Sequence, residues 1–166
     1  MQNTRLFSIL LLLFMGCSYY SVSGSLPGHI KTAAVPLFEN QTTETGIVED
    51  LTDAVEKAII SNGSMKIIGE FQADAVIDGT VVDVIDEADS YSKDEVAREF
   101  KIRIIAHVIF YDRIKNRAIG EEKNLEGWAR YSSSASSGDG ETRAEGINKA
   151  IDMLAKEIID KTVTGW

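Results

Sequence analysis

The stretch "VAREFKIRIIAHVIFYD" (residues 96–112) narrows the fold more than any other part of the chain. Phe100, Ile102, Ile104, Ala106, Val108 and Phe110 take every second position. That period puts all six on one side of an extended strand, and no single helix face can satisfy it. The other side holds Glu99, Lys101, Arg103 and His107, but also Ile105 and Ile109, so it is only partly suited to water. A strand with one wholly apolar side needs a second layer to cover it.

Two helical patterns supply that layer. After Gly46, the residues Ile47, Leu51, Ala54, Val55, Ala58 and Ile59 recur at helical spacing, and Asn62-Gly63 provides the stop. Near the end of the chain, Thr142 and Glu145 have capping-box spacing ahead of an apolar stripe, Ala144, Ile147, Ile151, Leu154, Ala155 and Ile158. Glu145–Lys149, Asp152–Lys156 and Glu157–Lys161 are acid-to-base pairs four residues apart that support an exposed helix face.

The remaining segments read as strands. Ile30–Phe38 is a first strand with Pro36 near its end, Met65–Phe71 a short one, and Ala73–Asp86 a longer one. An acidic turn, "EADSYSKDE", leads into the alternating strand, and Arg113–Arg117 is a hairpin turn returning through "AIGEEKNLEGWARYS". "SSASSGDGE" then reads as a loop. The order strand, helix, strands, helix predicts an α+β two-layer sandwich. Two helices pack on one face of a mixed, largely antiparallel four- or five-stranded sheet, in a single domain over residues 30–166.

The N-terminus carries a different signal. Arg5 precedes the ten residues Leu6 to Met15, of which only Ser8 is polar. That run is too short to span a bilayer, which takes about 20 apolar residues, but it fits the apolar region of a secretory signal. Gly16 then stands directly before Cys17, the sole cysteine of the chain. This predicts a bacterial lipoprotein: residues 1–16 are a signal peptide, Cys17 is the lipid attachment site, and residues 17–29 form a flexible tether. Ser18 after the cysteine favours export to the outer membrane. A lone cysteine excludes a disulfide framework.

Chemistry is sparse elsewhere. The net charge of −9 makes the chain a poor partner for nucleic acid. His29 and His107 have no second histidine or cysteine at metal-ligand spacing, so no metal or other cofactor is expected beyond the lipid on Cys17. Asp83, Asp86, Glu87 and Asp89 do not match a calcium loop. Ser132–Ser134, Ser136 and Ser137 lack a neighbouring base, and Gly138 and Gly140 stand among acids rather than in a phosphate-binding loop. No catalytic residue is identified, and the chain is not expected to be an enzyme. Arg113, Lys115 and Arg117 cluster at the hairpin tip of this otherwise acidic chain. They either keep the turn soluble or form a small anion-facing knob, which Lys101, Arg103, Lys123 and Arg130 on neighbouring strands would extend.

Several motifs in order carry a resemblance to a known family: Cys17, the Leu26-Pro27 tether, Val35-Pro36-Leu37-Phe38-Glu39-Asn40, Leu51-Thr52-Asp53-Ala54 and Gly127-Trp128. With "ADAVIDGTVVDV", "NLEGWARYS" and the closing "DKTVTGW", the stretch from Cys17 to Trp166 resembles the lipopolysaccharide-assembly lipoprotein family LptE. The resemblance implies a non-catalytic lipoprotein on the inner leaflet of the outer membrane. It would partner an LptD-type β-barrel, sit in the barrel lumen as a plug, and aid lipopolysaccharide insertion into the outer leaflet. It also makes Arg113, Lys115 and Arg117 candidate lipopolysaccharide contacts. The alternative is a free-standing periplasmic lipoprotein module that binds a small ligand or another envelope partner.

Overall fold

The computed structural model describes residues 26–91, 97–132 and 140–165. Its elements are β1 (Thr32–Ala34), β2 (Glu39–Asn40), α1 (Ile47–Asn62), β3 (Lys66–Ile67), β4 (Ala75–Tyr91), β5 (Ala97–Asp112), β6 (Arg117–Ser132) and α2 (Arg143–Thr164). The strands form one six-stranded sheet in the order β3-β1-β4-β5-β6, with β2 also paired to β4. β1 and β2 run parallel to β4, whereas β5 is antiparallel to both of its neighbours, β4 and β6. This is the expected two-layer sandwich, with one further two-residue strand, β2.

The apolar alternation of β5 is the floor of the core. Ile102, Ile104, Ala106, Val108 and Phe110 are fully buried, together with Leu51, Val55 and Ile59 of α1 and Leu154 and Ile158 of α2. Phe100, at the edge of this floor, is half-buried and stacks on Tyr131 with ring centroids 5.3 Å apart. The helix ends follow the sequence signals. Gly63 takes a left-handed φ of 71° and donates its N–H to the carbonyl of Ile59. Thr142 and Glu145 form the reciprocal capping box.

Four local expectations are corrected. The first strand is split: Pro36 has no N–H for a ladder, and the Phe38 amide donates to Oγ1 of Thr52 on α1 at 3.1 Å instead of to a strand. Only Lys66–Ile67 of the short strand pairs, and a single 3-10 turn, Glu70–Gln72, follows. The acidic segment Glu87–Tyr91 belongs to β4 rather than to a turn, because the strands opposite neutralise it. Arg103 reaches Glu87 at 2.6 Å and Arg130 reaches Asp89 at 2.6 Å. On α2, Glu145 takes the cap hydrogen bonds and feels Lys149 only through its charge, Lys149 bonds to Glu141, and Lys161 reaches Glu122 of β6 at 3.3 Å.

Two contacts fix how the helical layer sits. Arg143 at the start of α2 holds Glu44 at 2.5 Å and Asp86 of β4 at 2.9 Å, which ties the loop before α1 to the sheet. Further along, α2 lies directly on β6 at Gly127. A Cβ there would stand 2.0 Å from the carbonyl oxygen of Ala150 and 2.6 Å from Cβ of Leu154. Gly127→Ala is therefore expected to push helix from sheet and lower stability by about 1–3 kcal/mol, read as a fall in the urea midpoint at unchanged m-value. An unchanged midpoint would show that the helix does not need this approach.

Candidate functional site

The hairpin tip is built on a buried acid. β5 ends at Asp112, whose side chain is wholly buried, and the turn Arg113–Asn116 returns to Arg117. Oδ1 of Asp112 accepts the backbone N–H of Lys115 at 2.9 Å, and Oδ2 faces Nε2 of His29 at 2.7 Å. Burial pushes this carboxyl up, but the Lys115 amide, His29 and the Ile114 amide outweigh it and hold it below its ordinary 3.8. Asn116 closes the turn with a φ of 52° and accepts a bond from the Tyr111 hydroxyl at 2.6 Å. The tip also leans on the 3-10 turn: the Arg113 amide donates to the Asp74 carbonyl at 2.9 Å, and its guanidinium donates to the Glu70 carbonyl.

Arg113, Lys115 and Arg117 are thus held on one short turn, all exposed. The four basic residues thought to extend them are occupied elsewhere. Arg103 lies between Glu87 (2.6 Å) and Glu126 (3.4 Å), Arg130 pairs with Asp89, and Lys123 stands 3.9 Å from Glu121. Lys101 lies over the ring of Trp128 at 4.6 Å. Alternating signs on a sheet, invisible strand by strand, cancel once the strands are side by side.

Those charges belong to the face of the sheet that no helix covers. Along β5, Lys101, Arg103, Ile105, His107, Ile109 and Tyr111 are all half-buried on that side, as are Ile85 of β4 and Trp128 of β6. Cross-strand register sets Ile85, Arg103 and Trp128 in one row. His107 bonds to Glu121 through Nε2 at 3.0 Å. A shallow groove of about 340 Å³ opens beside it, lined by residues that include Leu37, Asp78, His107 and Ile109. Burial, with Glu70 and Glu39 nearby, pushes the Asp78 carboxyl up.

The other sequence candidates are not drawn together. Asp83, Asp86, Glu87 and Asp89 lie along β4, two of them bound to Arg103 and Arg130 and a third to Arg143. Among the described residues, no group of three or more metal-ligating side chains is assembled, and no helix is long and apolar enough to cross a membrane. Glu145 takes the Thr142 amide, so the start of α2 is capped from within. Cys17, Ser133–Ser137 and Gly138 lie outside the described residues. The sequence reading missed His29: one histidine in a polar stretch gave no sign that a buried carboxylate 83 residues away would receive it.

A family model described as lipopolysaccharide-assembly, LptE, matches residues 30–162. The chain belongs to the LptE family. That family is a non-enzymatic component of lipopolysaccharide transport. No curated protein sequence matches the chain. Among solved structures, protein XCC0632 of Xanthomonas campestris shares the fold at TM-score 0.59 and 12% identity, covering 86% of this chain and 91% of that one. The protein of the PelC dodecamer from Paraburkholderia phytofirmans gives TM-score 0.53 at 14% identity, covering 85% and 95%. Rare lipoprotein B of Shewanella oneidensis gives TM-score 0.51 at 12% identity, covering 77% and 92%.

Asp112 yields a test of this site's frame. Its folded pKa is depressed, so its charged-state contribution is complete above about pH 4 and is lost as pH falls through the folded value. Asp112→Asn keeps the shape but not the charge, and is expected to lower stability by about 2 kcal/mol at pH 7. Urea titrations below pH 4 should then show a flatter acid limb than in the parent. An equally steep limb would assign acid sensitivity to other carboxylates.

Proposed function

We propose that this chain is an outer-membrane lipoprotein, acylated at Cys17 after loss of residues 1–16 and anchored at the periplasmic face. It assembles with an LptD-type β-barrel, fills the barrel lumen, and serves lipopolysaccharide insertion into the outer leaflet. It works without a cofactor, the lipid being covalent. The observation that carries the reading, within a family of lipopolysaccharide assembly, is the helix-free sheet face. Ile85, Ile105, Ile109 and Trp128 give that face apolar area. Its charges are cancelled in the plane, as with Arg103 between Glu87 and Glu126. Docking against a wall then leaves few unpaired charges to desolvate, which is what makes a mixed surface able to bury itself. The fold likeness to a protein described as a lipoprotein in Shewanella oneidensis is in keeping with the anchor.

Within this reading, Arg113, Lys115 and Arg117 face the phosphates of lipopolysaccharide, for which exposed, flexible cations are suited. The groove of about 340 Å³ beside Leu37 and His107 favours one second reading, a free-standing periplasmic module that takes a small ligand on the same face. The two readings part on recovery of a partner.

Purification of the full chain from detergent-solubilised outer membrane is expected to bring a large β-barrel with it. Ile105→Glu with Ile109→Glu should cut that recovery by about tenfold while the urea midpoint stays near the parent's, because both side chains lie outside the core. A stable monomer with no barrel would instead support the free-standing module. Separately, Arg113→Glu, Lys115→Glu and Arg117→Glu together should weaken lipid A binding by about tenfold or more and leave barrel recovery intact. Unchanged lipid A binding would return the three to the role of keeping a turn soluble.

A further inference from the structure

Phe71 is 91% exposed, more than any other large apolar side chain among the described residues. Its turn does not need the ring. Glu70–Gln72 is a single 3-10 turn, closed by the Gln72 amide on the Gly69 carbonyl at 3.0 Å, and none of its three residues is buried. The residues that flank the turn make the packing contacts instead: Ile68 and Ala73 join a small apolar cluster with Ala34 and Val76. One apolar side chain in water needs no explanation, but Phe71 has a neighbour of the same kind.

Ile114 stands between Arg113 and Lys115 at the hairpin tip and is 57% exposed. The Arg113 guanidinium donates to the Glu70 carbonyl and the Arg113 amide to the Asp74 carbonyl, which holds the tip against the 3-10 turn. Phe71 and Ile114 are therefore carried on two loops bound to each other, with the exposed Arg113, Lys115 and Arg117 on the same tip. The acids nearby are turned to other uses. Asp112 is buried against His29, and Asp74 accepts the backbone N–H groups of Lys31 and Thr32, each at 2.9 Å. Glu70 is the acid beside Phe71 that stays exposed. A ligand offering phosphate alone would answer the cations and leave both apolar side chains in water. The surface as a whole matches phosphate and hydrocarbon side by side, and lipid A has that chemistry: a phosphorylated disaccharide whose sugars also carry the acyl chains.

We propose that Phe71 and Ile114 are an acyl-chain contact beside the cations, so that the tip holds lipid A by its phosphates and by the hydrocarbon next to them. The inference rests on the assignment of Arg113, Lys115 and Arg117 to lipopolysaccharide above. It keeps that ligand for them and leaves the helix-free sheet face to the barrel. Cations on an exposed turn are screened by salt, whereas burial of apolar area is not. The acyl contact therefore supplies the part of the affinity that separates lipid A from other phosphorylated sugars.

The test uses the full chain purified in detergent and two probes, lipid A and the same phosphorylated disaccharide after complete deacylation. The parent is expected to bind lipid A at least about tenfold more tightly than the deacylated probe. Phe71→Ser with Ile114→Ser should weaken lipid A binding about tenfold and leave binding of the deacylated probe unchanged. Both side chains are exposed, so the urea midpoint of this variant should stay at the parent's. Met153→Ser, which removes an exposed apolar side chain from α2, should change neither affinity. Lipid A binding that survives in the Phe71/Ile114 variant overturns the acyl contact and leaves the lipopolysaccharide reading standing. So does an equal loss for both probes, because the defect then lies in the shape of the tip. A variant that keeps lipid A but loses the barrel assigns the pair to the barrel wall and overturns the contact as well. Competition by phosphatidylglycerol equal to that by lipid A overturns the choice of lipid A. A parent that binds neither probe overturns the lipopolysaccharide reading itself.

Discussion

The structure depends on β5 having two unlike sides. One side is apolar without interruption from Ile102 to Phe110 and must be sealed, and the two helices seal it. That requirement fixes β5 at the centre of the antiparallel part, because both β4 and β6 must flank it to widen the floor on which α1 and α2 rest. Helix and sheet then meet as closely as backbone permits, which is why glycine stands at position 127. The other side of β5 follows from the same strand geometry. Once one side is committed to the core, every alternate residue faces away from the helices, and its composition is free to serve something other than folding.

That freedom explains what the sequence did and did not disclose. The two helices, their ends and the alternating strand were legible because each rests on local signals: a 3.6-residue period, a capping box, a glycine stop, a period of two. The split of the first strand was half-written in Pro36, but its other cause is the distant hydroxyl of Thr52. The extension of β4 through Glu87 and Asp89 was not legible at all. Read alone, an acidic stretch looks like a solvated turn; beside Arg103 and Arg130 it is a strand with its charges answered. Pairing across strands decides the matter, and pairing is not a property of any one segment.

The same reasoning applies to charge. A net charge of −9 describes the chain, not its surfaces. Along the helix-free face, signs alternate and cancel. At the pole that carries the hairpin tip, Asp74 and Asp112 turn inward to organise the backbone, and Arg113, Lys115 and Arg117, which follow Asp112 in sequence, are left outside. Basic character arises there because the acids are consumed by hydrogen bonds, not because lysine and arginine are abundant. Of the candidate site, the basic tip was therefore readable as a cluster, while its setting beside the 3-10 turn and His29 was not, since both arrive through contacts some forty and eighty residues distant in sequence.

His29 and Asp112 join these two surfaces mechanically. The buried carboxylate takes the tip with one oxygen and His29 with the other, so it holds the segment before β1 and the basic turn together. β5 carries that anchor point at its end and carries the half-buried face along its length. The tip is therefore joined to a strand whose other side is locked under two helices. Because close packing leaves β5 little room to shift, the tip and the open face share one rigid support.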